Sequence, residues 1–210
     1  MESKSYPKEA ERFTKDTAEH ILMIKHDHEI YRYLLIKKPG TSFYWYEVLS
    51  WPGRLVINGD MGSFVFSRLE DMFEFFRSGR DINPGYWAEK CVAGQTKEFS
   101  EEKFKRLVKE HADDVLEGLP EVAREGFVKA VKSELLDDQV YSNNEAHTLV
   151  SEFSHVYMDL EHPLGAPKTV EFYDTWEWDF SDYTPHFLWC CFGIRRAIEM
   201  YDKEKGVVLP

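Results

Sequence analysis

The chain has 210 residues, a formal net charge of −12 and 43% hydrophobic residues. This hydrophobic content excludes a globally disordered chain, and its apolar runs are far shorter than the roughly 20 residues of a membrane-spanning helix. The first residues, MESKS, lack the apolar core of a secretory signal. Three cysteines, two of them adjacent, fit a reducing compartment. We therefore expect a cytoplasmic protein that needs no disulfide bonds.

The negative charge is unevenly distributed along the chain. Residues 99–183 contain 8 Lys/Arg and 20 Asp/Glu, whereas the parts before and after them are close to neutral. A surface that binds phosphates needs an excess of basic residues, so direct nucleic-acid binding is not expected. An acidic surface instead favours a basic partner.

The first half of the sequence predicts an antiparallel sheet. Turn signals recur about every ten residues, as is typical of hairpin-connected strands. They separate apolar stretches rich in aliphatic and aromatic residues, at 20–25, 30–37, 42–49, 54–58 and 64–66. The Asn58-Gly59 pair predicts a hairpin loop between the last two stretches.

After residue 66 the apolar spacing becomes helical. Capping residues or first-turn prolines predict five helix starts, at Ser67, Ser100, Pro120, Ser142 and Thr184. The apolar stripe of the fourth helix predicts that it continues to Tyr157, and residues 168–173 suggest a further strand. Residues 1–15 and 203–210 are expected to be flexible.

These patterns predict an α+β fold. An N-terminal antiparallel β-meander is expected to pack against several α-helices, and a long C-terminal helix closes the chain. A single domain covering residues 1–210 is the expected organisation. The alternative is a subdivision into residues 16–98, with the sheet and first helix, and residues 99–210, which are acidic and mainly helical.

An acidic aromatic segment extends from Glu171 to Tyr183 and reads EFYDTWEWDFSDY, without Lys or Arg. One interpretation is a surface for a basic partner, in which aromatic side chains are anchors and carboxylates supply charge. Its predicted residues are Glu171, Asp174, Trp176, Glu177, Trp178, Asp179, Asp182 and Tyr183. The alternative is an edge strand with its aromatic face in the core and its acidic face in water.

A second set of residues has the chemistry of a metal site. His26 and His28 lie two residues apart, so on a strand both face the same way. Asp159, Glu161 and His162 precede a Pro-Leu-Gly turn. Together they are candidate ligands of a metal-dependent hydrolase, although no spacing selects a complete ligand set. A polar hairpin tip and a polar loop are the alternatives.

His186 and Cys190 lie four residues apart on the predicted last helix, the spacing of a thiolate–imidazole pair. Cys190 is surrounded by Phe, Leu and Trp in the sequence. A thiol in such surroundings is usually an inert small hydrophobe, so no catalytic residue is predicted here.

Three stretches carry a resemblance: YLLIKKPGTSFYWYEVLSWPGRLVINGDMGSFVFSRLEDMFEFFR, INPGYWAEK and TPHFLWCCFGIRRAI. They resemble a group of uncharacterised accessory proteins encoded by tailed bacteriophages and prophages. The resemblance covers about half of the chain and leaves out the acidic middle. It implies a bacterial cytoplasm during infection and a gene outside the virion-assembly set, but no activity or catalytic residue.

Two functions are consistent with these sequence features. The favoured one is a phage accessory protein that binds and inhibits a host protein with a basic surface, as an anti-defence (anti-CRISPR-like) factor would. No cofactor and no membrane partner are expected, and a homodimer that buries exposed aromatic residues is an alternative use of the surface. The other function is the small metal-dependent hydrolase.

Overall fold

The computed structural model describes residues 6–77, 81–159 and 165–207. The chain divides into two compact units: unit 1 comprises Met1–Lys97 with Tyr183–Pro210, and unit 2 comprises Glu98–Asp182. Unit 2 contains 8 Lys/Arg and 21 Asp/Glu, a balance of −13, whereas unit 1 contains 18 and 17. The first boundary lies beside the predicted subdivision at residue 98, but the last helix belongs with the sheet.

The elements of unit 1 give the predicted α+β architecture. Its strands are β1 (Ile21–His28), β2 (Tyr31–Lys37), β3 (Tyr46–Trp51), β4 (Arg54–Gly59), β5 (Gly62–Phe66) and β6 (Cys91–Ala93). They form one antiparallel sheet in chain order, which confirms the predicted meander. Its helices are α1 (Pro7–Asp16), α2 (Met72–Arg77), α3 (Pro84–Glu89) and, at the end of the chain, α7 (Pro185–Lys205).

One face of the sheet and the helices enclose the core of unit 1. Alternate strand residues are buried there, including Leu34, Ile36, Val48, Leu55, Ile57 and Phe64. The long helix α7 approaches the sheet closely at Gly193, where a Cβ atom would lie 3.0 Å from Ile57 Cδ1. Thr184 caps this helix as predicted, since its Oγ1 accepts a hydrogen bond from Phe187 N at 3.0 Å.

Helix α2 starts later than predicted. Ser67 does not cap it, because the Ser67 hydroxyl is hydrogen-bonded to the Arg54 guanidinium. Instead Asp71 Oδ1 accepts from Phe73 N at 2.9 Å, and both Asp71 oxygens accept from Arg32, at 2.8 and 2.9 Å. A long-range ion pair therefore sets the start of the helix, and the local capping pattern could not show it.

The N-terminal residues 7–16 form a helix, so the expectation of flexibility is wrong for them. Ala10 and Phe13 are 2% and 1% exposed. Phe13 packs edge-on against Trp189 of α7, with ring centroids 4.9 Å apart. Burial against a distant helix stabilises α1, which with 10 residues is too short to be stable alone.

Unit 2 is mainly helical. In chain order it contains β7 (Lys97–Phe99), α4 (Glu101–Gly118), α5 (Glu121–Val131), α6 (Asn143–Glu152), β8 (Ser154–Asp159), β9 (Ala166–Glu171) and β10 (Ser181–Tyr183). The predicted starts at Ser100 and Ser142 are confirmed, because each hydroxyl accepts from the amide three residues on, at 3.2 Å. The two unit boundaries fall within β7 and β10, which pair with each other.

Helix α6 ends at Glu152, so the prediction that it continues to Tyr157 is wrong. Residues Ser154–Asp159 form β8 and pair antiparallel with β9. Here Val156 and Met158 are 59% and 50% exposed, whereas Tyr157 contributes to the core of unit 2. Burial in this stretch therefore alternates with a period of two residues, which the preceding helical stripe masked.

None of the described helices is long and apolar enough to cross a lipid bilayer.

Candidate binding site

The acidic aromatic segment is a turn followed by a short strand, and not the continuous edge strand of the alternative interpretation. It leaves β9 at Glu171, forms a 3₁₀ turn at Thr175–Glu177 and enters β10 at Ser181. Asp174 opens the turn in the left-handed conformation, with φ 53° and ψ 30°, which Asp tolerates better than most residues. Glu177 N donates to Asp174 O at 3.0 Å and closes the turn.

This turn separates the aromatic residues into two groups. Phe172, Trp178 and Phe180 are 8%, 7% and 0% exposed and belong to the core of unit 2. Tyr173 and Trp176 are 77% and 73% exposed. The expectation that both tryptophans lie on the surface is therefore correct for Trp176 and wrong for Trp178, because the turn directs the Trp178 side chain into the core.

Trp178 is fixed by helix α4. The His111 ring stacks on it with 3.9 Å between ring centroids and 10° between ring planes. An open depression of about 630 Å³ lies between this helix and the segment. It is lined by Lys103, Leu107, His111, Tyr173, Asp174, Glu177, Trp178 and Asp179. Tyr173 thus stands at the edge of a concave surface that also presents carboxylates.

Trp176 borders a different depression. This one has a volume of about 410 Å³ and is also lined by His147, Thr148 and Ser151 of α6, together with Thr175. Thr175 is buried, which fixes the backbone next to the exposed indole. Trp176 therefore lies within the turn and Tyr173 just before it, and each is next to a shallow cavity.

The carboxylates of the segment differ in their partners. Asp179 lies 3.4 Å from Lys103 Nζ, which also donates to Ser181 O at 2.7 Å. Asp174 and Glu177 are exposed, and neither forms an ion pair with any described residue. Glu171 and Asp182 are exposed at the two ends of the segment. Asp174 and Glu177 are thus the carboxylates beside the turn that are available to a cationic partner.

Tyr183 belongs to unit 1. Its ring packs against the core of that unit, 5.7 Å from the Phe187 ring centroid. Lys97 Nζ lies 5.4 Å from the centroid of the same ring. The prediction grouped Tyr183 with the anchors of the acidic segment, whereas the structure makes it a half-buried residue at the start of α7.

The candidate metal ligands are spread over the chain. His26 and His28 are exposed on β1 of unit 1, where they pair with Tyr33 and Tyr31 of β2. They therefore precede the hairpin tip, which is formed by residues 29 and 30. Asp159 lies on β8 of unit 2, with its Oδ2 2.5 Å from Lys168 Nζ. Glu161 and His162 fall outside the described residues. Among the residues that are described, no three His, Cys, Asp or Glu side chains form a group that could hold a metal ion.

Cys190 is 1% exposed, and burial raises the pKa of its thiol to about 12. Burial also raises the pKa of the Cys191 thiol well above its ordinary value. His186 is exposed. These observations agree with the interpretation of Cys190 as a packing residue, because a nucleophilic cysteine needs an accessible, low-pKa thiol.

Several residues that line the two depressions were not among the predicted ones, including Tyr173, Lys103, His111 and His147. Tyr173 lies within the segment, but the alternation of its neighbours does not show which aromatic residues face out. The other three come from α4 and α6, which are remote in sequence from the segment. No local pattern could have paired them with the segment, and His111 continues the apolar spacing of Leu107 and Val115 along α4.

No family model, curated protein or solved structure matches the chain.

Proposed function

We propose that this protein acts by binding, and that unit 2 captures a basic protein surface through the acidic aromatic segment. The target we propose is a host protein, with a nucleic-acid-binding defence protein as the class that best fits, so that capture inhibits it. The observation that carries the proposal is the pair Tyr173 and Trp176, 77% and 73% exposed on a turn whose other side is anchored in the core.

Exposed Tyr and Trp side chains on a fixed backbone suit a binding site. Each can bury roughly 150–250 Å² against a partner, and such residues commonly contribute 2 kcal/mol or more when they lie at the centre of an interface. Phe172, Thr175 and Trp178 are buried on either side of them. This anchoring lowers the entropy lost when a partner orders the turn.

The charge of unit 2 selects the kind of partner. Its balance of −13 comes from the 8 Lys/Arg and 21 Asp/Glu of residues 98–182. The negative electrostatic field of such a unit increases its rate of association with a positively charged protein surface, and salt weakens this effect. Proteins that grip nucleic acids carry such basic surfaces, and an acidic segment with aromatic anchors can occupy them.

The test is affinity capture by the tagged full chain from a bacterial lysate, at about 0.1 M and about 0.5 M salt, since the higher concentration screens exposed charges. We expect one stoichiometric protein at low salt and much less at high salt. The double variant Tyr173→Ala/Trp176→Ala should lose this protein, and Asp174→Asn/Glu177→Gln should weaken its capture and its salt dependence.

Tyr141→Ala is the matched control, because Tyr141 is 74% exposed in the same unit but lies outside the segment. It should capture the partner like the unmodified chain. Capture that persists in a folded Tyr173→Ala/Trp176→Ala variant would contradict the choice of surface. A chain that retains no stoichiometric protein at either salt concentration would contradict the proposed function itself.

A further inference from the structure

The helices of unit 1 pack on one face of its six-stranded sheet. The four helices of unit 1 contribute their buried residues to one core cluster, together with the inward-facing strand residues. The strand registers place another set of side chains on the opposite face: Met23, Tyr33, Leu35, Leu49, Val56 and Val65. At the margin of this outer face Ile21, Tyr31 and Trp51 are 47%, 46% and 39% exposed.

The sequence of the strands is that of a sheet buried on both sides. An antiparallel sheet with one solvated face usually alternates apolar and polar residues. Here the apolar residues are contiguous in β2 (residues 33–36), β4 (residues 55–57) and β5 (residues 64–66). The centre of the outer face is therefore apolar where water would favour polar side chains, which is typical of an interaction surface. The registers place His26, His28, Lys37 and Arg54 on the same face, at its margin.

The polar groups in the middle of this face are paired with each other. Tyr33 Oη donates to Glu47 Oε2 at 2.7 Å, and Asn58 Nδ2 donates to Glu47 Oε1 at 3.0 Å. Ser63 Oγ donates to Asn58 Oδ1 at 2.5 Å. The row crosses four strands. Each Glu47 oxygen therefore already accepts one hydrogen bond before a partner covers the face.

We propose that a second copy of this chain covers the outer face, so that two sheets pack face to face in a symmetric dimer. Unit 1 holds 18 Lys/Arg and 17 Asp/Glu, so two copies of it are not separated by net charge. A two-fold interface matches a face with itself, and the apolar residues of one copy meet the same residues of the other.

The size of the face is sufficient for such a dimer. Six strands about 4.8 Å apart and about six residues long cover a footprint of roughly 600 Å². Two copies would bury roughly 1,200 Å², above the approximately 1,000 Å² expected of a biological interface. An interface near this lower limit is typical of weak association, so we expect the dimer to dissociate on dilution.

Sedimentation equilibrium of the full chain tests the proposal. At about 200 µM, far above a micromolar dissociation constant, we expect a mass of about twice the monomer's 24.8 kDa. Leu49→Lys should restore the monomer mass, because it places a charge in the centre of the apolar face. Val128→Lys is the control, since Val128 is 49% exposed on α5 of unit 2, and it should leave the dimer intact.

Circular dichroism shows whether each variant is folded. If Leu49→Lys does not fold, Val56→Thr/Val65→Thr replaces it, because threonine keeps the strand preference while adding polar groups to the face. A chain that stays monomeric at the highest concentration would overturn the proposal. A dimer that persists in a folded outer-face variant would also overturn it, since another surface would then hold the two copies together. Capture of a basic protein by unit 2 does not depend on either result.

Discussion

The imidazole of His111 lies flat on the indole of Trp178, with 3.9 Å between ring centroids. The two residues come from α4 and from the acidic aromatic segment, 67 positions apart in the numbering. The stack holds the segment against the helix, while Trp176 two residues earlier is turned outward. Two tryptophans in one short segment therefore have different roles: Trp178 stabilises unit 2, and Trp176 is available to a partner.

Trp178→Ala should be strongly destabilising. Removing a buried aromatic side chain that is 7% exposed typically costs about 3–5 kcal/mol. Trp176→Ala should change the free energy of unfolding by less than about 0.5 kcal/mol, because exposed positions rarely do more. Urea unfolding followed by circular dichroism measures both. Equal losses in the two variants would contradict the different roles assigned to these residues.

Tyr46→Phe should leave the protein as stable as before or stabilise it. Tyr46 is 1% exposed, and its hydroxyl has no hydrogen-bond partner among the described residues. Burial raises the pKa of this hydroxyl, so it remains neutral. An unsatisfied buried hydroxyl costs about 1–3 kcal/mol, and phenylalanine removes it while keeping the edge-on packing against Trp189.

Urea unfolding of Tyr46→Phe measures the change, and we expect a gain of about 1 kcal/mol. The control is Tyr33→Phe, because the Tyr33 hydroxyl donates to Glu47. This second change removes a satisfied hydrogen bond and should destabilise the protein. A marked loss of stability in Tyr46→Phe would mean that the hydroxyl has a partner after all.

The three cysteines should react with a thiol reagent in a fixed order. Cys91 is half-buried, whereas Cys190 and Cys191 are 1% and 0% exposed. Burial raises the pKa of all three thiols, to about 12 for Cys190. Since the thiolate is the reactive form, we expect slow labelling of Cys91 and protection of the other two until the protein unfolds.

Labelling with a chromogenic disulfide, with and without denaturant, checks this order. Cys91→Ser should abolish nearly all labelling of the native protein and leave two reactive thiols in the unfolded chain. Rapid labelling of Cys190 in the native protein would instead support the interpretation of Cys190 and His186 as a thiolate–imidazole pair.

The sequence predicted those parts of the fold that depend on neighbouring residues. The hairpin between β4 and β5 and the helix starts at Ser100, Ser142 and Thr184 were predicted from local turn and capping signals, although Asn58 and Gly59 pair within the hairpin and the loop is formed by Asp60 and Met61. The start of α2 could not be predicted, because Asp71 acts there together with Arg32 from a different strand. Local patterns do not contain such a partner.

The prediction of the candidate site was limited in the same way, because local sequence does not show contacts with distant parts of the chain. Charge and aromatic content identified the segment, since composition is visible without a structure. The outward orientation of Trp176 and the burial of Trp178 depend on the turn opened by Asp174. The stack with His111 depends on α4. Alternation alone fits a strand or a turn equally well, so it could not show which aromatic residues face the solvent.

The free energy of unfolding should fall in acid because of two carboxylates in unit 1. Burial by itself would raise the pKa of Asp71, but the hydrogen bonds from Arg32 and Phe73 N and the positive charges of Arg32 and Arg77 together outweigh it, so the pKa is lowered. The hydrogen bond from Lys205 lowers the pKa of Asp27. A folded-state pKa below the unfolded value gives stability that is present above the unfolded pKa and lost as the pH falls. The stability should therefore be constant near neutrality and decline below about pH 4.

Asp71→Asn tests the first of these contributions. It leaves the Arg32 side chain, which is 9% exposed, without its carboxylate, and breaking a buried pair costs about 3–5 kcal/mol. Urea unfolding at several pH values should show this loss at neutral pH and a shallower decline in acid, because one linked proton is removed. The neighbouring exposed Glu70→Gln should retain the full acid dependence. An unchanged acid limb in Asp71→Asn would show that other carboxylates cause the decline.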